Sequence, residues 1–155
     1  MKQMILALLI PAITLGQGCN RSDETEGGQT SLARKGDGIE FTVKGGGTEA
    51  HFAANQSGVP LPDGFPQDAT IFPGATLVTS ATSSAGFTLA LQTQSVLNKV
   101  IAFYEKDLKQ NGWKIVVNSR LGADGGMLSA EKDQRSQYLT ITQRDGTTTI
   151  NITVN

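Results

Sequence analysis

The sequence predicts an α+β fold in two layers. An antiparallel β-sheet packs against one α-helix in a ββαββββ-like order, and a small β-hairpin precedes it. Three observations lead there. A single amphipathic helical pattern spans residues 95–112, and strand-like runs lie on both sides of it. The last two runs flank Asp145-Gly146, a two-residue turn signal for a hairpin.

The helix carries the firmest pattern. In SVLNKVIAFYEKDLKQNG, Leu97, Val100, Ile101, Tyr104 and Leu108 recur at i, i+3, i+4, i+7 and i+11, which puts them on one face. Val96 and Phe103 widen that stripe. Ser95 is the expected N-cap, Glu105 and Lys109 can pair at i, i+4, and Asn111-Gly112 supplies the left-handed residue that ends the helix. Ala75–Ser80 and Phe87–Gln92 are expected strands before it, separated by the turn-prone ATSSAG. After it come WKIVVNSR (113–120), GGMLSAEKD (125–133), QYLTITQR (137–144) and TTINITVN (148–155). Leu139 and Ile141, then Ile150, Ile152 and Val154, alternate with polar residues, so one face is buried and the other wet. The wet face is rich in threonine (Thr140, Thr142, Thr147, Thr149 and Thr153), as β-branching alone favours.

Residues 59–75, VPLPDGFPQDATIFPGA, hold four of the chain's five prolines. Neither a helix nor a central strand suits them. The large apolar residues Phe65, Ile71 and Phe72 instead predict an ordered extended segment anchored in the core. Upstream, Ile39, Phe41 and Val43 alternate with Glu40, Thr42 and Lys44, and Gly45-Gly46-Gly47 reverses the chain towards Glu49–Ala54. That is the expected hairpin, residues 39–58. Residues 20–38 are polar, of mixed charge and poor in apolar side chains, so residues 19–38 read as a flexible tether with a typical reach of roughly 25 Å.

The amino terminus has three parts: Lys2, the mostly apolar run Met4–Leu15, and small residues Gly16-Gln17-Gly18 leading up to Cys19. The run is shorter than the roughly 20 residues of a spanning helix and fits the apolar core of a signal peptide. Cys19 is the sole cysteine, so no intrachain disulfide is possible. Residues 1–18 with Cys19 resemble a bacterial lipoprotein signal. That resemblance implies a diacylglyceryl thioether on Cys19 and cleavage before it. Gly18 matches the small residue expected there, while Gly16 stands where such signals usually carry leucine. The competing reading is a secreted protein cut nearby with a free thiol.

Composition removes several classes of function. Net charge is −1 and charged residues make up 17% of the chain, so no basic excess exists to hold a nucleic-acid backbone. His51 is the only histidine, with no ligand-spaced partner, and is expected on the surface. Asp37, Asp63, Asp124 and Asp145 each precede glycine but do not continue into a calcium-loop spacing, and read as turn residues. No catalytic constellation and no cofactor or metal site is expected. Tyr104 and Trp113 bracket the C-terminal half of the helix and are the candidate lining of a ligand groove between helix and sheet. The favoured reading is that they close the core, with Trp113 staking the turn from helix to strand.

Phe72-Pro73-Gly74-Ala75, followed by Phe103-Tyr104-x-x-x-Leu108-x-x-x-Gly112-Trp113, resembles a pattern of uncharacterised bacterial envelope lipoproteins over about residues 59–155. The expected domains are therefore a signal peptide (1–18), the tether (19–38), the hairpin (39–58) and an α+β domain (59–155). The expected function is a lipid-anchored, non-enzymatic envelope binding or assembly module, not an enzyme. The alternative is a small-ligand or glycan carrier using the helix–sheet groove. The implied partners are the membrane, through Cys19, and an envelope protein or glycan. A periplasm- or exterior-facing position follows, on the outer membrane if the source is Gram-negative.

Overall fold

The computed structural model describes residues 28–155; the signal-like segment, Cys19 and the first part of the tether lie outside the described residues. Nine strands form one antiparallel sheet: β1 (Gly28–Lys35), β2 (Gly38–Gly45), β3 (Thr48–Ala54), β4 (Thr76–Ser83), β5 (Gly86–Thr93), β6 (Lys114–Arg120), β7 (Gly125–Lys132), β8 (Arg135–Arg144) and β9 (Thr147–Val154). One helix, α1 (Leu97–Gln110), packs against it. This is the expected α+β architecture in two layers. The spatial order is β1-β2-β3-β4-β5-β9-β8-β7-β6. The chain thus leaves β5, crosses the sheet through α1 to the far edge, and returns by three hairpins until β9 pairs with β5.

The hairpin read from residues 39–58 is continuous with this sheet, because β3 pairs with β4 from His51↔Thr82 to Ala54↔Thr79. Residues 28–35, read from the sequence as part of a flexible tether, form β1 and pair with β2 along its whole length. They contribute only Leu32 as a large apolar side chain, so no alternation announced the strand.

The helix buries the face its periodicity foretells: Leu97, Val100, Ile101, Tyr104 and Leu108. Below them lie Leu89 and Leu91 of β5, Ile150, Ile152 and Val154 of β9, Leu139 and Ile141 of β8, and Leu128 of β7. Burial contributes roughly 1.5–3 kcal/mol for each large aliphatic side chain. The helix start differs from expectation. Val96 is the N-cap and makes no side-chain capping bond. The Leu97 N–H instead donates to Gln143 Oε1 of β8 at 3.3 Å, and Thr148 Oγ1 donates to the Ser95 carbonyl at 2.6 Å. The cap is tertiary, and Ser95 serves through its backbone. On the wet side Glu105 accepts from Asn118 Nδ2 of β6 at 2.8 Å.

The end of the helix is as read. Gly112 sits at φ +80, the Trp113 N–H donates to the Leu108 carbonyl at 2.8 Å, and the Gly112 N–H donates to the Lys109 carbonyl at 3.2 Å. That is the Schellman pattern, with Trp113 following the glycine into the core.

Two positions under the helix and its flank define sharp tests. A Cβ at Gly126 would stand 2.5 Å from Ile101 Cδ1, so glycine lets the helix seat on β7. Gly126→Ala is expected to cost about 1–3 kcal/mol in urea unfolding, the usual range for overpacking. Adding Ile101→Val, which removes Cδ1, should recover part of that loss; additive costs would refute the contact. Gln137 of β8 is fully buried, and neither side-chain amide atom has a hydrogen-bond partner among the described residues. Gln137→Met should therefore raise the urea midpoint, by a stabilisation of about 1 kcal/mol. A fall in the midpoint would show that the amide is satisfied in solution.

Candidate functional site

The proline-rich segment, residues 59–75, crosses the helix-side face of the sheet and is held along its length. At its start the Val59 N–H donates to the Leu77 carbonyl at 2.7 Å. Phe65 then meets Phe87 of β5 edge to face, with centroids 5.6 Å apart. Towards its end Phe72 is buried against Phe103, and its N–H donates to Tyr104 Oη at 3.1 Å. Ile71 is half-buried against the same core. The three apolar anchors read from the sequence all pack on the core.

The centre of the segment is held by charge. Asp68 accepts from both terminal guanidinium nitrogens of Arg135, Nη1 at 3.0 Å and Nη2 at 2.6 Å, and from Lys132 Nζ at 2.7 Å. The Lys132 ammonium also donates to the carbonyl of Asn111 at the end of α1, at 2.8 Å. Trp113 Nε1 donates to the Asp68 carbonyl at 2.8 Å, and the Arg135 guanidinium lies 5.1 Å from the Trp113 ring centroid. Such a forked arginine–carboxylate pair is among the stronger charge-assisted contacts, and the ring adds a cation–π term. The hydrogen bonds from Arg135, and next those from Lys132, hold the Asp68 carboxyl well below the ordinary carboxylate range despite its partial burial.

Tyr104 and Trp113 are thus brought together, but as pins for this segment. Both are buried, at 0% and 3% exposure, and belong to the core cluster, so they close the space between helix and sheet and line no groove there. Burial pushes the Tyr104 phenol above its usual range.

A different groove lies at the start of the pinned segment. Pro60, Leu61, Pro62 and Asp63 form its wall. Its floor is formed by β2, β3 and β4: Glu40, Thr42, His51, Ala53, Ser80 and Thr82 share the helix-side register, and Phe41 and Phe52 from the row between also reach the lining. The groove is half open and has a volume of about 620 Å³, within the range of small-ligand and peptide sites. His51 is surface-exposed, as expected, and it is fixed: Nδ1 lies 3.0 Å from Thr42 Oγ1 and Nε2 3.0 Å from Glu49 Oε1. Lys44 Nζ is 2.9 Å from the same carboxylate. These are direct cross-strand neighbours, Thr42↔His51 and Lys44↔Glu49. The Lys44 ammonium is the main cause that lowers the Glu49 carboxyl below its ordinary value. The lining includes the carboxylates of Glu40 and Asp63 and no lysine or arginine. Among the described residues no group of three or more His, Cys, Asp or Glu side chains is placed to hold a metal, and no helix is long and apolar enough to cross a membrane.

Sequence reasoning missed this groove. His51 and the Asp63-Gly64 turn were noticed singly, and only the pairing of β3 with β4 brings them to one place.

Fold and groove together define a one-helix α+β domain with a half-open surface cleft. Residues 75–148 match a family model described as START domain-like. The match runs through β4, β5, α1 and β6–β8 to the start of β9, and leaves out β1–β3 and nearly all of the proline-rich segment. No curated protein and no solved structure gives a significant match to the chain.

The Asp68 cluster has a pH signature. A carboxylate held low in the folded state contributes stability that is complete above its unfolded pKa, about 3.9, and is lost as pH falls below it. Asp68→Asn should cost about 1–2 kcal/mol at neutral pH, between the exposed and buried ion-pair limits. It should also flatten the fall in urea midpoint of the wild type between about pH 5 and pH 2. Equal slopes for the two proteins would remove Asp68 from the account.

Proposed function

We propose that this protein is a lipid-anchored, non-enzymatic binding module of the bacterial cell envelope. It takes up an extended, basic segment of a partner in the groove between β2–β4 and residues 60–63. The observation that carries the reading is the groove itself: a pinned proline wall facing a mixed floor of hydroxyls and the rings of Phe41 and Phe52, with the carboxylates of Glu40 and Asp63 and no lining lysine or arginine. A rigid wall reduces the ordering cost of binding, and carboxylates at the rim steer a basic chain into place. The anchor is supported by the resemblance of residues 1–19 to a lipoprotein signal.

Two measurements test it. Intact mass of the membrane-extracted protein should show a species beginning at Cys19 with added acyl mass, absent from Cys19→Ser; an unacylated wild type would end the anchor reading. In ¹⁵N–¹H spectra, a short extended peptide bearing lysines should shift the amides of Thr42, His51, Ser80 and Thr82, whereas its glutamate counterpart should not. Glu40→Lys should weaken the lysine peptide roughly tenfold, about 1.4 kcal/mol. Shifts that ignore the peptide's charge, or that lie elsewhere on the domain, would reject the groove as the site.

A further inference from the structure

The arm formed by β1–β3 has two unlike faces. Register places Glu40, Thr42, Lys44, Glu49 and His51 on the helix side, where they line or adjoin the groove. Register gives the opposite face Leu32, Ile39, Phe41, Val43 and Phe52 in adjoining rows: Leu32↔Phe41↔Phe52, Ile39 opposite Ala54, and Val43 opposite Ala50, with Phe41 and Phe52 also bordering the groove. Phe41 and Phe52 stack at 4.8 Å. Leu32, Ile39, Phe41 and Val43 remain 66%, 44%, 36% and 39% exposed. Contiguous apolar surface of this kind marks an interaction face.

The geometry points to a lipid bilayer surface as the occupant of this face. The inference rests on the anchor reading of Cys19. Eight residues separate Cys19 from Gly28, the first residue of β1. Even fully extended they span at most about 30 Å. An acylated Cys19 therefore keeps this arm, of all parts of the domain, close to the membrane. The charge pattern agrees. The strand carboxylates of the arm, Glu40 and Glu49, lie on the helix side and Asp37 lies in the β1–β2 turn, while the apolar rows are bordered by Thr30 and by Arg34, opposite Val43 and Ile39. An arginine at the edge of an apolar patch suits a headgroup phosphate, and a carboxylate there would oppose it. The arm lies on the membrane by its apolar face and turns the groove away from it.

The test uses the full-length protein purified from membranes and reconstituted into phosphatidylethanolamine–phosphatidylglycerol vesicles containing brominated acyl chains. Phe41→Trp reports on the apolar face and Thr42→Trp on the groove face, above the constant signal of buried Trp113. With Cys19 acylated by mass, the added emission of Phe41→Trp should fall roughly twofold as its ring reaches the headgroup–acyl boundary, and that of Thr42→Trp should not. Acylation without quenching at either position would overturn the proposal and leave the anchor reading standing. A blue shift at Phe41→Trp without quenching, together with a dimer by light scattering, would assign the face to a second copy and also overturn it. If Cys19 carries no acyl chain, the anchor reading fails by itself. Quenching of Phe41→Trp by added vesicles would then still support the face, and its absence would reject it.

Discussion

Asp68 ties three distant parts of the chain together. Its backbone carbonyl receives the indole of Trp113 at the end of the helix, and its carboxylate receives Lys132 and Arg135 from either side of the β7–β8 turn. The segment that carries Asp68 has no regular secondary structure of its own, and its prolines cannot donate to a neighbouring strand. Without these bonds it would be an ordinary surface loop. With them, and with Phe72 and Tyr104 at one end and Phe65 and Phe87 at the other, it becomes a lid over the core. The same rigidity sets Pro60–Asp63 as a fixed wall. The groove therefore depends on an ion pair that lies outside its own lining.

The sheet divides into two regimes. From β5 to β6 one face is covered by α1 and the pinned segment, and the core lies there. From β1 to β3 nothing comparable covers either face among the described residues, and the strands hold through cross-strand pairs alone. A two-faced arm of this kind is marginal in isolation. Its junction with β4 extends only over His51–Ala54, the shortest of the strand pairings, so the arm is joined to the rest of the sheet by the fewest ladder residues. That is where both proposed contacts lie.

How much of this could be read from the sequence follows from how local each feature is. The helix face was legible because a 3.6-residue period is written in consecutive residues, and the Schellman end because Asn111-Gly112 is a local signal. The helix start was not. Its first N–H is satisfied by Gln143, 46 residues away, and no capping pattern at Ser95 encodes that. β1 escaped notice because its stability comes from register with β2 more than from its own side chains. The β7–β8 turn, Asp133-Gln134, places two non-glycine residues at positive φ and so lacks the glycine that marked the β8–β9 turn. Tyr104 and Trp113 stood out in the sequence, but a large aromatic with a polar tip reads the same whether it lines a groove or pins a loop. Only their partners, a backbone N–H and a backbone carbonyl, separate the two roles.

The arm's two faces are linked by a constraint that neither shows alone. Side chains alternate along a strand, so the residues that build the groove floor oblige their neighbours to point the other way. Thr42 and His51 on one side fix Phe41 and Phe52 on the other. A floor of polar residues could have been backed by more polar residues, as in the threonine-rich face of β8 and β9. Instead the arm is backed by a row of large apolar side chains, next in sequence to the proposed anchor. An arm serving only to build a groove would gain nothing from Leu32 or Val43 in water, and its solubility would suffer. Their presence is economical if the arm has a second surface to meet. Apolar docking then fixes the direction in which the groove faces, since the period of two leaves it no other.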